Sequence, residues 1–266
     1  MELLLFRAAL APLLVLLATL VARRLGPRRG GQLLGAPTTT GPFLAVTWLG
    51  YGPAKTAAAA HGSVTGTLVV ACFCLAYGRL AAGRRPTRTL AAALPCAAGA
   101  ALVGAGCESV WVSGGLALAV AVVGLRTLPA SGASGRPPRP AQRWELPARM
   151  LLSGATVLVG VAAANALGPF LGGVVSSLPV LLAIMVPSVH RSAGAPPATD
   201  MTRGALSSAV GTLGFLLVLC LAPVRLGPLA CLVLAPAAFV IGTSLLRWCA
   251  LRVASAQPVM GWTGIR

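Results

Sequence analysis

Residues 25–42 read LGPRRGGQLLGAPTTTGP and residues 167–179 read LGPFLGGVVSSLP, and the two stretches share one pattern of glycines and prolines. A Leu-Gly-Pro triplet, a Gly-Gly pair and a later proline recur at a constant offset of 142 residues. Similarity at a fixed offset is the sequence signature of an internal repeat. The pattern therefore predicts two halves of common origin, each holding one copy of the stretch.

The chain around these stretches has the composition of a membrane protein. Of its 266 residues, 57% are hydrophobic and only 9% are charged, and the mean hydropathy is +0.87. A soluble domain has about a quarter charged residues. Aromatic residues make up only 5%, and no alternating strands flanked by aromatic girdles are found, which excludes an outer-membrane barrel.

Nine apolar stretches are long enough to cross a hydrocarbon core about 30 Å thick. The fourth is the least apolar because it contains Pro95, so eight helices are an alternative. Glu2 precedes the first stretch where a signal peptide would have basic residues, and no plausible cleavage site follows it, which favours a span over a signal peptide. The expected fold is an all-α polytopic membrane helical bundle with about nine transmembrane helices. These stretches are residues 3–22, 31–50, 57–80, 90–106, 110–128, 150–167, 168–189, 204–222 and 226–248.

Basic residues lie in the short gaps between the apolar stretches. With nine spans the arginine clusters all fall on one side, and only Arg7, Lys55 and Arg225 fall on the other. Positive charge marks the cytoplasmic side, so we expect the N-terminus outside and the C-terminus in the cytoplasm. The net charge of +17 then indicates topology and contact with anionic lipid headgroups, not nucleic-acid binding. Frequent Ala, Gly, Arg and Pro are typical of a high-GC bacterial gene, so a bacterial cytoplasmic (inner) membrane is the expected location.

A linker rich in Pro, Gly and Arg divides the chain. It predicts a first transmembrane half at 1–128, a cytoplasmic linker at 129–148 and a second transmembrane half at 149–266. Five spans, an odd number, separate the two Leu-Gly-Pro stretches, so the halves are expected to be inverted-topology repeats. A smaller cytoplasmic loop is expected at 192–199, which contains two adjacent prolines.

The second span is interrupted near its middle, ~9 to ~17 Å into the bilayer at a helical rise of about 1.5 Å per residue. Prolines remove backbone donors and glycine permits a break, so freed backbone groups would lie beside hydroxyl side chains. The second half has a matching interruption, and paired interruptions point to a transporter site. We predict helix breaks at Pro37, Pro42 and Pro179, and a substrate-binding site at Thr38, Thr39, Thr40, Gly41, Ser176 and Ser177. The alternative is that these residues only kink packed helices.

Small residues in the third and seventh spans predict close packing of helix backbones. The glycines that carry this prediction are Gly62, Gly66, Gly172 and Gly173. His61, beside them, is a candidate for proton coupling because imidazole titrates near neutral pH; a neutral histidine bonded to a neighbour is the alternative. A Ser-x-x-Gly-Thr-Leu motif recurs in the third span of each half at an offset of 145, which pairs His61 with Leu206.

Residues suited to metal binding or catalysis are sparse. The four acidic residues lie at ends or loops, and the seven cysteines form no Cys-x-x-Cys pair and lie mostly inside apolar stretches. We therefore expect no metal, no cofactor and no enzymatic activity, and the usual acidic relay for protons or sodium is missing. Nucleotide-binding motifs are also absent, which excludes an ATPase.

Each half consists of an apolar helix, a helix that begins with Gly-x-x-x-x-x-Pro, and a third helix rich in small residues. In this order residues 7–80 and 149–222 resemble the GlpM-like family of small bacterial inner-membrane proteins, as if two copies were fused in tandem. Gly41-Pro42 together with Gly62-x-x-x-Gly66 also resembles LysE-type exporters, which have inverted three-helix repeats. Phe43 stands where that family has an acidic or amide residue, which argues against amino-acid export.

The function that these patterns favour is transport or export of a small solute, whose identity the residues leave open. The alternative is a non-transporting membrane subunit or scaffold for envelope or polymer assembly. In that case the basic linker at 129–148 would contact anionic lipid or a cytoplasmic partner. The oligomeric state is not indicated by any pattern in the chain.

Overall fold

The computed structural model describes residues 27–130 and 145–255, and within them the chain is helical with no strand. This confirms the all-α prediction. The helices are α1 (Pro27–Gly35), α2 (Thr40–Leu80), α3 (Pro86–Ala105), α4 (Val110–Thr127), α5 (Glu145–Leu167), α6 (Pro169–Ser176), α7 (Val180–Ala193), α8 (Ala195–Leu221) and α9 (Pro223–Ser255). The expected first span at 3–22 and most of the expected linker lie outside the described residues.

Six helical stretches of the described chain are long and apolar enough to cross a membrane. Their outer faces carry large apolar side chains such as Leu102 and Leu229, which are 78% and 79% exposed. Such a surface suits a lipid environment, in which apolar side chains need no protein cover. The six stretches are Arg28–Gly83, Pro86–Ala105, Val110–Thr127, Pro169–Ala193, Ala195–Leu221 and Leu229–Leu246.

Helix α2 doubles back at Gly52. This residue has φ 81° and ψ −179°, a conformation that glycine adopts without the clash a Cβ would cause. Thr40 and Gly66, on opposite sides of Gly52, both contact Ser177. In one straight helix these two residues would be about 39 Å apart. The first segment of α2 (40–51) and its second segment (53–80) therefore run in opposite directions past the same point.

Gly194 makes the corresponding turn between α7 and α8, with φ 94° and ψ 179°. It lies 142 residues after Gly52. The expected loop at 192–199 is therefore wrong, because one residue connects the two helices. Pro196 and Pro197 lie in the first turn of α8, where a missing N–H costs no helical hydrogen bond. Likewise α5 begins at Glu145, so the end of the expected linker is helical.

Packing contacts between the halves are reciprocal at the offset of 142. Where two residues of different halves approach closely, the two residues that correspond to them at this offset approach closely as well. A Cβ at any of these glycines would overlap its partner. The reciprocal contacts are Gly62 with Phe170 and Gly204 with Arg28; Gly31 with Met201 and Gly173 with Ala59; Gly66 with Ser177 and Gly35 with Ser208.

These contacts correct the alignment of the third helices. The offset of 142 holds through Gly204 and Ser208, so the expected offset of 145 for this helix is wrong. At the corrected offset His61 corresponds to Arg203 and not to Leu206. The shared Ser-x-x-Gly-Thr-Leu motif misled the alignment because small residues recur throughout both helices.

The core lies between α2 and α8. Phe43, Phe73 and Tyr77 of α2 are fully buried, and Leu206 and Leu216 of α8 are almost fully buried. Helices α1, α6 and α7 pack on this central pair, which brings the two proline-containing interruptions to the middle of the bundle.

Candidate functional site

Both interruptions form the same proline-centred turn. The Thr38 amide donates to the Ala36 carbonyl at 2.7 Å, and the Val180 amide donates to the Leu178 carbonyl at 2.8 Å. The central residue is proline each time, and Pro179 has φ −77° and ψ 43°, near an inverse γ-turn. The sequence produces a break at these points because proline cannot donate the helical hydrogen bond and the tight turn replaces it.

A helix restarts immediately after each turn. The Gly41 amide bonds to the Pro37 carbonyl at 2.8 Å, and the Ala183 amide bonds to the Pro179 carbonyl at 2.7 Å. Each interruption thus joins the C-terminal end of a short helix, α1 or α6, to the N-terminal end of the next, α2 or α7. Carbonyl groups and amide groups left without helical partners meet at the same depth.

The two interruptions touch through their hydroxyl residues. Thr40 Oγ1 and Ser177 Oγ are 3.3 Å apart, and both side chains are buried. Gly66 of α2 makes room for Ser177, since a Cβ there would overlap the serine side chain. On the other side Thr212 of α8 donates to the Gly35 carbonyl at 2.8 Å, which satisfies an acceptor at the end of α1.

A cleft lies where the interruptions meet. Its cavity volume is about 50 Å³. No charged side chain contributes to its lining among the described residues. The polar groups are hydroxyls and backbone, and the two prolines form part of the wall. The polar and proline residues that line it are Pro37, Thr39, Thr40, Thr67, Thr156, Ser177, Pro179 and Thr212.

The structure separates the predicted site residues into two groups. Thr39, Thr40 and Ser177 line the cleft, with Pro37 and Pro179. The other predicted residues do not line it. The Thr38 hydroxyl donates to the Ala36 carbonyl at 3.5 Å, and the Ser176 hydroxyl donates to the Gly173 carbonyl at 2.9 Å. Gly41 faces Phe215. The predicted break at Pro42 is wrong, because Pro42 lies in the first turn of α2, where its missing N–H costs no helical hydrogen bond.

Three hydroxyl residues of the cleft were not predicted as site residues: Thr67, Thr156 and Thr212. Thr67 and Thr212 belong to the Ser-x-x-Gly-Thr-Leu motif, which was interpreted only as part of the repeat and not as part of the site. Thr156 lies in an apolar helix, in which Ser153, three residues earlier, is its nearest polar neighbour in sequence. The second segment of α2, which contains Thr67, and α8, which contains Thr212, are apolar on most sides. Their sequence pattern therefore does not reveal which face meets the cleft.

The glycines predicted for helix packing all lie where two helices approach closely. Gly62 and Gly66 of α2 approach Phe170 and Ser177, and Gly173 approaches the Ala59 carbonyl. Gly172 faces Ala164 of α5, so its contact is with a different helix. These close approaches hold the short helix α6 against α2 and so fix the position of the second interruption.

His61 does not line the cleft. Its ring meets the edge of Phe170, with centroids 5.1 Å apart, and its Nε2 has no hydrogen-bond partner among the described residues. Arg203, at the corresponding position of α8, donates to the carbonyls of Leu125 and Leu128 at the end of α4. The two positions therefore differ in role, and proton coupling through His61 stays a prediction.

Within the described residues no group of three or more His, Cys, Asp or Glu side chains is arranged to hold a metal ion. The cleft is thus a hydroxyl and backbone site between two interrupted helices. The chain matches no protein-family model, no curated protein and no solved structure.

Proposed function

We propose that this chain is a transporter or exporter of a small polar solute in a bacterial inner membrane, and that its two halves carry the solute through the central cleft. The observation that carries the proposal is the meeting of two proline-interrupted helices at Thr40 and Ser177. Interrupted helices at membrane depth persist where they line a cavity or are buried in protein, and paired ones mark transporter sites.

The proposal includes about nine spans in two inverted halves. Gly52 divides the first apolar stretch into two, and α5 supplies another span. The expected first span, residues 3–22, lies outside the described residues. The reciprocal contacts at the offset of 142 support a pseudo-twofold relation between the halves. The odd number of expected spans between the two Leu-Gly-Pro stretches is the reason to expect that this relation is an inversion. The distribution of arginines supports an external N-terminus and a cytoplasmic C-terminus.

The lining favours an uncharged or zwitterionic solute. A charged solute entering the membrane needs compensating charge, and the described lining contains none. The helix ends at the cleft are of both polarities, because α1 and α6 end there while α2 and α7 begin there. Hydroxyl groups and helix ends of both signs suit a small molecule with both donors and acceptors.

Water access at the cleft tests the proposal. In a chain from which the seven native cysteines have been removed, Ser177→Cys and Thr39→Cys should react with a membrane-impermeant maleimide in vesicles. Ser176→Cys is the matched control, because its side chain is fully buried outside the cleft. We expect the first two to be labelled and the control to stay unlabelled.

Lys55→Cys and Arg84→Cys report the sidedness of the same vesicles, and they should label from opposite sides. If both do so while Ser177→Cys and Thr39→Cys stay unreactive from either side, the cleft is sealed packing. The chain would then be better explained as a non-transporting membrane subunit, and the transport proposal would be wrong.

A further inference from the structure

The chain has only two tyrosines, and each hydroxyl joins the two halves. Tyr77, near the end of α2, lies with its Oη 3.1 Å from His190 Nδ1 of α7. Tyr51, at the end of the first segment of α2, donates to Asn165 Oδ1 of α5 at 2.5 Å. Both bonds therefore link the first half of the chain to the second.

The two tyrosines lie on opposite sides of the cleft. In the first segment of α2, Thr40 lines the cleft and Tyr51 lies about 16 Å further along the helix. After the turn at Gly52 the second segment returns to the cleft, where Thr67 lines it. Tyr77 lies about 15 Å beyond Thr67 along that segment. Because the second segment of α2 runs opposite to the first, these displacements point in opposite directions.

The bonding partners show the same spacing. On α5, Asn165 is about 14 Å of helix beyond Thr156, which lines the cleft. On α7, His190 is about 12 Å beyond Leu182, another lining residue. Each hydrogen bond thus crosses between the halves at one end of the cleft, well away from the site itself.

We propose that the Tyr51–Asn165 and Tyr77–His190 hydrogen bonds are the two closures of the transport path, one at the external end and one at the cytoplasmic end of the cleft. This inference rests on the proposed transport function and on the expected orientation. Transport through a central site requires that each end open while the other is shut. At each end of the cleft, one tyrosine hydrogen bond joins the two halves of the chain. Breaking that bond would let the halves separate at that end while the other end stays shut.

The two closures differ in how tightly they are sealed in this structure. Tyr77 is 0% exposed, His190 is 8% exposed, and the tyrosine ring packs beside Phe73 and against the edge of the imidazole. Tyr51 is 39% exposed and the Lys55 ammonium lies 5.1 Å from its ring centroid. The structure therefore has the firmer seal at the cytoplasmic end.

The pseudo-repeat does not create these bonds. At the offset of 142, Tyr77 corresponds to Leu219 and His190 corresponds to Trp48, so the equivalent pair is apolar. Symmetric halves alone would give equal closures at the two ends. The tyrosines make the ends different, which sets the side to which the resting cleft opens.

Removing one hydroxyl at a time tests the proposal. Tyr77→Phe and Tyr51→Phe keep the rings and remove only the hydrogen bonds, so each is the matched control for the other. The probe is a membrane-impermeant maleimide, and the readout is the labelling rate of Thr39→Cys from each side of the membrane. Arg84→Cys normalises for vesicle sidedness.

We expect Tyr77→Phe to raise the ratio of cytoplasmic to external labelling by ~3- to 10-fold, the effect of one membrane hydrogen bond on a two-state equilibrium. Tyr51→Phe should lower the ratio. His190→Phe also removes the hydrogen bond of Tyr77, so it should have the same effect as Tyr77→Phe. It replaces Tyr77→Phe in the assay if Tyr77→Phe fails to fold.

The outcomes separate the two proposals. If Thr39→Cys is labelled in the parent but no tyrosine variant changes the side ratio, the bonds are structural and this inference is wrong. If both tyrosine variants move the ratio in the same direction, the assignment of opposite ends is wrong. If Thr39→Cys is labelled from neither side in any variant, the transport function itself fails.

Discussion

A single methyl group at Gly62 should weaken the bundle, because this glycine is the point of closest approach between α2 and α6. A Cβ built there overlaps the Phe170 carbonyl oxygen and lies 2.8 Å from its carbonyl carbon. The obstructing atoms are backbone, so no side-chain rotation relieves the overlap. In Gly62→Ala the two helices must move apart, which also displaces the interruption that follows α6.

The magnitude follows from two opposing terms. Overpacking against a rigid neighbour costs up to about 3 kcal/mol. Replacing glycine by alanine inside a helix stabilises the folded protein by about 1 kcal/mol, because alanine has the higher helix propensity. The net loss is about 2 kcal/mol, which is about a thirty-fold change in the ratio of folded to unfolded protein. Gly204→Ala, whose Cβ overlaps the Arg28 carbonyl oxygen, should lose a similar amount.

Unfolding in mixed detergent and dodecyl sulfate micelles measures these free energies. Gly115→Ala is the control, since it lies in α4 and a Cβ there meets no atom within 4 Å. We expect it to be neutral or stabilising by up to about 1 kcal/mol. If Gly62→Ala proves as stable as Gly115→Ala, the close backbone contact does not exist in the membrane and the derived packing is wrong.

Three further changes test other parts of the structure. Thr212→Val removes the hydrogen bond to the Gly35 carbonyl and should cost about 1 kcal/mol in the same micelle assay. Gly194→Ala places a Cβ at a φ of 94° and should cost about 1–2 kcal/mol there, although its surroundings leave room for the methyl group. Arg203→Met removes the donors to the Leu128 carbonyl, so the amides at the end of α4 should exchange hydrogen faster while those at its start do not change.

The interruptions could be predicted from sequence because their cause is local. Proline alone does not decide a break, since Pro95 and Pro187 lie inside unbroken helices. Pro37 and Pro179 could be singled out because the repeat places them at corresponding positions. The contact between Thr40 and Ser177 follows from the same repeat. Ser176, one residue away, points elsewhere because a helix turns its side chains by about 100° per residue, which no local pattern resolves.

Other features depend on tertiary packing and could not be predicted from the sequence. Two adjacent prolines after Gly194 predicted a loop, whereas the structure uses them to begin a helix. The cleft-facing side of Thr156 is set by neighbours that lie far apart in sequence. The partners of Tyr51 and Tyr77 are also distant in the chain, so composition and spacing give no hint of either bond.

Distances measured across both ends of the cleft in one sample test whether the cleft opens alternately to the two sides. Double electron–electron resonance on spin labels at Leu49→Cys and Leu167→Cys reports the end proposed to be external. Labels at Arg84→Cys and Ser192→Cys report the end proposed to be cytoplasmic, and all four positions are exposed. If one cleft opens alternately to two sides, each pair will give two distances. In Tyr77→Phe, a larger fraction of molecules will then show the longer distance at the cytoplasmic end and the shorter distance at the external end. A single distance at each end, unchanged in Tyr77→Phe, would contradict the account.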